Sequence, residues 1–429
     1  MQTHIHTLPN GLRVVLVDTN SFPTLTTLLL VGSGSRYENE KNNGIAHFLE
    51  HMFFKGSKKY QNSFMISSTL EGLGAISNAF TSKDHTGYWI KSTNEHFEKV
   101  VDVLSDMLLE PFLLQEEIDR EKGVIVEELN MYEDTPARRV GEIFENLLYK
   151  GNPLGFDIGG TKDTVVSFNR NTFVDYMNQL YFPSNAVLVV AGGFGRIQNS
   201  KFKIQNYLDV ITAKFGSWKG KKDISLEKMV ENQKETQVIV KHKKSEQAHV
   251  CIGFRTFSYY DTRKYILSLL TTVLGGGMSS RLFMEVREKR GLCYYISSGR
   301  ENYSDVGSIV TQAGVPIVSD KVNETIAITL QEHKKMTQGE VTEEELTRAK
   351  ELIKGRVLLS MEDSQNVASF YGVKKLLQDK IETPKEIIEK LEKVTADQVT
   401  DLAKEIFVQE GLNVALVGPF EKSDIKVSF

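Results

Sequence analysis

Apolar residues along this chain follow two rhythms that alternate in a fixed order. GLRVVLVD (11–18) and LTTLLLVG (25–32) are near-continuous aliphatic runs and predict paired strands. Residues 43–55 carry apolar positions at helical spacing. FMISSTLEGLG (64–74) predicts a second helix, closed by glycine. AISNAFTSKDHTGYWIKS (75–92) predicts a hairpin about a polar Ser-Lys-Asp turn. A helix over 94–111 is spaced by Phe97, Val100, Val101, Val103, Leu104, Met107 and Leu108 and stopped by Pro111. Another over 115–134 starts with acidic residues, which suits the helix dipole. A helix at 166–181 and a strand in SNAVLVVAGGF complete this half.

The order then repeats. TQVIVKHKKSEQAHVCIGFRTF predicts two strands, and TRKYILSLLTTVLGGG a helix that runs into a Gly-rich loop and SSRLFMEVREKRG. LCYYISSGRENYSDVGSIVTQAG predicts a hairpin. Two helices and the strand GLNVALVGPF close the chain. Sequence identity between the halves is slight, so the repeat is one of element order. It predicts an α+β fold of two similar domains, each a mainly antiparallel sheet covered by helices. The charged, weakly apolar stretch 219–235 is the expected linker, with domains at 1–218 and 236–429.

A length of 429 residues suits two cores of about 200 residues each. The net charge of −4 provides no basic field, so nucleic acid is not an expected partner. The apolar runs are strand-length, too short to span a bilayer, and the N-terminal stretch lacks a basic region followed by an apolar one. Two cysteines, Cys251 and Cys293, make no disulfide framework. The expected location is the cytoplasm.

Candidate chemistry lies in GIAHFLEHMFFKGS (44–57). His47 and His51 are four apart and share a helix face, with Glu50 beside them. Zinc hydrolases use three protein ligands, an open position and a nearby base, and His-x-x-Glu-His supplies two ligands and the base. A histidine on an apolar helix is more commonly a core residue. Here Phe48, Leu49, Met52 and Phe53 bury the helix, and unpartnered imidazoles beside them would pay a desolvation cost that a metal removes. A third ligand is expected from the acidic set in 115–134. Glu121 and Glu128 are seven apart, within about 20° of one face. Spacing alone does not choose among Glu121, Glu127 and Glu128. His4, His6, His85, His96, His242, His249 and His333 read as structural or exposed, with His96 and His333 on solvated helix faces.

With these residues in view, the sequence resembles the pitrilysin family of zinc metallopeptidases, the inverzincins. It is most similar to a bacterial subfamily akin to the mitochondrial processing peptidase β subunit. HFLEHMFFKGS fits the family's metal helix, and REKGVIVEELN its downstream acidic helix. The resemblance implies Glu128 as third ligand, Glu121 as supporting acid, Glu50 as base and one Zn2+ per chain. SNAFTSKDHT resembles the family's edge strand, implying substrate contacts at Asn78, Ala79 and Phe80. REKRGLCY and the preceding GGGMSSRLF resemble the non-metal half, implying Arg287 and Tyr294 as donors to the reacting carbonyl.

The implied activity is a zinc endopeptidase cutting peptides held as an added β-strand in a closed chamber. A chain of this length supplies one half of the family's clamshell. A homodimer is therefore expected, or a heterodimer with a ligand-less homologue. The competing expectations are a non-catalytic partner subunit and a chamber that binds peptides without cutting them.

Overall fold

The runs at 11–18 and 25–32 become strands because both of their faces are buried, which is what an unbroken apolar run satisfies. In a computed structural model describing residues 1–195, 200–378 and 380–429, eleven strands form two sheets among the described residues. The first contains β1 (Gln2–Thr7), β2 (Arg13–Asp18), β3 (Thr24–Val31), β4 (Ile76–Thr81), β5 (Thr86–Thr93) and β6 (Ala186–Gly192) in the order β1-β2-β6-β3-β5-β4. The second contains β7 (Gln237–His242), β8 (Gln247–Thr256), β9 (Tyr295–Asn302), β10 (Gly307–Pro316) and β11 (Asn413–Gly418) in the order β7-β11-β8-β10-β9.

Apart from β1, the two sheets have one topology. β2 and β6 are parallel, as are β7 and β11, and every other pairing is antiparallel. The repeat expected from element order is thus a repeat of strand pairing. β4 and β9 are edge strands at equivalent places, each following a helix and opening a hairpin.

The first sheet separates its residues by parity. Val14, Leu16, Leu25, Leu29 and Val31 pack under the helices Ile45–Met52 and Phe97–Leu109. Val15, Val17, Leu28, Leu30, Val187 and Val189 face the other way, against Val367, Ala368 and Tyr371 of the helix Ser364–Leu377. Gly372 lets that helix approach closely: a Cβ there would lie 2.6 Å from Leu30. The second sheet is built alike. Cys251, Ala415 and Val417 face Val140, Ile143, Phe144 and Leu148 of the helix Pro136–Leu148.

These covering helices redraw the domain boundaries. One unit comprises Met1–Leu129, Phe156–Leu226 and Leu359–Ile381, and the other Asn130–Gly155, Glu227–Leu358 and Glu382–Phe429. The contiguous boundaries expected at 1–218 and 236–429 differ by two exchanged segments, because each sheet takes a helix from the opposite half of the sequence. Residues 219–235 carry no helix or strand. The later part is nonetheless held in the second unit, where Asn152 donates to the Glu227 carbonyl and the Met229 amide donates to Asp305.

His333 corrects an expectation. It is 1 % exposed, not on a solvated face, and its Nδ1–H donates to the Thr329 carbonyl at 2.7 Å among Phe254 and Phe407. Burial pushes its pKa down to about 4, so it sits in the core as a neutral ring.

Candidate metal centre

The site begins with a helix too short to stand alone. Ile45–Met52 has eight residues, and isolated helices of that length are marginal in water. Ile45, Ala46, Phe48, Leu49 and Met52 are buried, and the Phe48 ring meets Phe173 edge-on at 5.0 Å. Burying that stripe leaves His47, Glu50 and His51 on the remaining face. At the N-terminus Gly44 has φ +96° and lies against Gly159 and Gly160, where a Cβ would come within 2.7 Å of a carbonyl oxygen. The buried Glu38 carboxylate receives the Gly44 and Ala46 amides at 2.8 and 2.9 Å and the Asn43 side chain at 2.9 Å. Two otherwise unbonded helix amides are thereby satisfied.

The helix Gln115–Glu133 supplies the acids. Ile118, Glu121 and Ile125 are its buried residues, so its packed stripe carries an ionisable side chain inward. Glu128 lies seven residues beyond Glu121, one heptad along that face. Its Oε2 stands 3.7 Å from Nε2 of His47 and 3.7 Å from Nε2 of His51. One donor atom from each of the three lies within 4.8 Å of the others. Glu127, left open by spacing, is exposed.

The electrostatics give each group a distinct state. Burial would raise the Glu121 carboxyl, but hydrogen bonds from His51 and Lys55 hold it below its usual range. An ionised Glu121 only accepts, so the 2.9 Å contact is an Nδ1–H of His51 donated to it, and in the neutral ring the lone pair is then on Nε2. Burial works against charge on the His51 ring, yet Glu121, Glu128 and Glu50 together raise its pKa. Glu50 is shifted upward mainly by burial, against the Thr81 hydroxyl that donates to its Oε2 at 2.6 Å.

Two imidazole nitrogens and a carboxylate oxygen fit zinc chemically. Donors around a tetrahedral zinc would lie roughly 3.3 Å apart, so the two carboxylate–imidazole separations of 3.7 Å come near that value, and the set, spread over up to 4.8 Å, would draw together on binding.

The other expected residues fall in two places. Asn78, Ala79 and Phe80 lie on the edge strand β4. Ala79 packs toward the metal helix core, whereas the Phe80 ring packs on the opposite face against Gly87. Arg287 and Tyr294 belong to the second unit. The Arg287 guanidinium lies 4.6 Å over the Phe283 ring, and Tyr294 is 74 % exposed just before β9. Sequence reasoning missed Thr81, Lys55 and Glu38. Two had a signal: Thr81 shares strand parity with Ala79, and Lys55 continues the His47, His51 spacing of four.

Comparison with known proteins places these observations in context. Residues 13–162 match the family described as Insulinase (Peptidase family M16), and residues 167–353 match the family described as Peptidase M16 inactive domain. A Bacillus subtilis protein named as the uncharacterized zinc protease YmxG is 36 % identical over 96 % of this chain and 98 % of its own. A Streptomyces coelicolor protein also named as a zinc protease is 30 % identical over 97 % of this chain and 89 % of its own. The crystal structure of a protease from Helicobacter pylori superposes with a TM-score of 0.88 at 24 % identity, over 97 % of this chain and 99 % of that one. A Pseudomonas fluorescens structure described as a peptidase M16 inactive domain gives 0.87 at 18 % identity, over 98 % and 99 %. The likeness to these two structures is one of fold.

Proposed function

Since the chain belongs to the insulinase family of M16 peptidases, we propose that it is a zinc-dependent endopeptidase acting on extended peptides or small unfolded polypeptides. The observation that carries this reading is the convergence of His47, His51 and Glu128 beside Glu50. Relatives named as zinc proteases support it.

His47, His51 and Glu128 would hold one Zn2+. When bound, the ion supplies Lewis acidity and lowers the pKa of a coordinated water towards about 7. Glu121 fixes the His51 tautomer that can ligate. Glu50 accepts a proton from the attacking water and returns it to the leaving amine. The open edge of β4 pairs with the peptide backbone, which gives affinity with little selectivity for side chains. In that reading Asn78 and Ala79 border the bound peptide, while Phe80 braces the strand from its other face.

Tyr294 and Arg287 of a second copy donate to the carbonyl oxygen as charge develops on it. One such donor is worth roughly 3 kcal/mol of barrier. The high exposure of Tyr294 suits a group that meets its partner only in an assembly. Two buried free thiols support a reducing location, the cytoplasm.

The test is metal analysis of the wild type beside Glu128→Gln, with cleavage of a quenched fluorescent peptide library measured with and without chelator. Near one zinc per wild-type chain and chelator-sensitive cleavage are expected, with both lost in the variant. Zinc-free, folded wild-type chain that cuts nothing would overturn the reading. Mixing Glu50→Gln chains with Tyr294→Phe chains tests the second copy's part, and recovered activity is the expected result.

A further inference from the structure

Strand β4 presents Ala79 and Thr81 toward the metal helix, and Asn78 and Phe80 to the opposite face. Thr81 is its last residue. Its hydroxyl donates to Glu50 Oε2 at 2.6 Å, within the range of a bond to an ionised acceptor. A hydroxyl has one proton to give, so Oε2 is held and Oε1 remains for other use. Threonine is stiff at χ1, which fixes the direction of that bond.

The backbone behind Thr81 is fixed as well. The turn that follows closes through the Ser82 amide donating to the His85 carbonyl at 2.8 Å. The Ser35 and Arg36 amides donate to the Ser82 and Lys83 carbonyls at 3.3 and 3.0 Å. The buried Arg36 guanidinium stands 3.7 Å from Asp84. Gly34 lies so close to this turn that a Cβ would come within 2.3 Å of the Ser82 carbonyl. The hydroxyl is therefore presented by an anchored strand end, whereas Glu50 is a flexible side chain on a half-buried surface.

We propose that Thr81 is the positioning residue of the Glu50 base, and that through it the strand taking the peptide also aims the group that moves the proton. This rests on the reading of Glu50 as that base. With Oε2 tied to β4, Oε1 faces the reacting water in one orientation, and the carboxylate cannot turn back onto His51.

Thr81→Val removes the hydroxyl and keeps the shape, and Thr81→Ser keeps the hydroxyl. On a quenched fluorescent peptide, the valine variant is expected to lose roughly tenfold or more in kcat, with KM within about twofold and zinc per chain unchanged. The serine variant should recover kcat to within about threefold of wild type. Crystal structures of the three chains should show the Glu50 carboxylate displaced only in Thr81→Val. Thr81→Ala serves in its place should the valine chain not fold. A kcat within about twofold of wild type, or a Glu50 carboxylate unmoved without the hydroxyl, overturns the proposal. Should wild type cut no peptide, the endopeptidase reading fails separately. The Glu50 position in the variant crystals still decides the role of Thr81.

Discussion

His51 donates Nδ1–H to Glu121 at 2.9 Å, and the other oxygen of that buried carboxylate meets Lys55. The contact settles which ring nitrogen carries a proton and so which can bind a cation. Glu121→Gln leaves the ring held by a neutral group, and the uncompensated Lys55 then lies beside it. Zinc affinity is expected to fall about 10- to 100-fold. Competition with a chromophoric chelator reads this directly, and unchanged affinity would show that Glu121 is only a packing residue.

Metal binding should also register as stability. Zinc at about 100 times its dissociation constant stabilises the folded chain by roughly 2.7 kcal/mol. For a unit of about 200 residues that corresponds to roughly 5–10 °C in melting temperature. Calorimetry with and without zinc should show the rise in wild type and none in Glu128→Gln.

Glu38 is expected to matter beyond its distance from the donors. Glu38→Ala strips two helix amides and the Asn43 side chain of their acceptor in a buried place. Each unsatisfied amide costs about 1–3 kcal/mol. The melting temperature should drop by several degrees and zinc affinity with it. In contrast, Leu416→Ala in the core of the second sheet should lower stability while leaving zinc affinity unchanged.

Acid stability should have one identifiable contributor in the second unit. Glu382 is 7 % exposed, accepts hydrogen bonds from Lys390 and Tyr265 at Oε1, and forms an ion pair with Lys264 through Oε2. Burial would raise its carboxyl, but these partners hold it down near 2. A depressed carboxyl stabilises the fold fully above its unfolded value and loses that contribution as pH falls through about 4.5 to 2. The difference in melting temperature between wild type and Glu382→Gln should therefore be largest above pH 5 and shrink toward pH 2. A difference independent of pH would assign the effect to shape instead.

Much of the site is local, and local chemistry is readable. The spacing of His47, Glu50 and His51 fixes their shared face whenever residues 45–52 are helical, and the apolar residues between them make them so. The heptad from Glu121 to Glu128 likewise fixes a common side of one helix. The hairpin around residues 82–85 follows from alternation and turn residues.

Other features depend on what a face is buried against. His333 shares its helix face with Val322, Ile326 and Met336, so the spacing marks an inward position and not a solvated one, but it does not say what buries it. Phe254 and Phe407, from distant parts of the chain, close over it. The covering helices Pro136–Leu148 and Ser364–Leu377 have ordinary helical patterns, and a pattern gives a buried stripe without naming what it is buried against.

By itself, then, the sequence determined the elements, their repeated order, the two-imidazole helix and the acidic stripe, because each depends on residues within a turn or two of one another. Only the tertiary structure decided that Glu128 and not Glu127 reaches the imidazoles, that Glu121 holds a proton donor in place, and that Thr81 meets Glu50 across 31 positions. Those outcomes depend on how a helix seats on a sheet. Seating is set by burial summed over many residues far apart in the chain, and no single spacing records that sum.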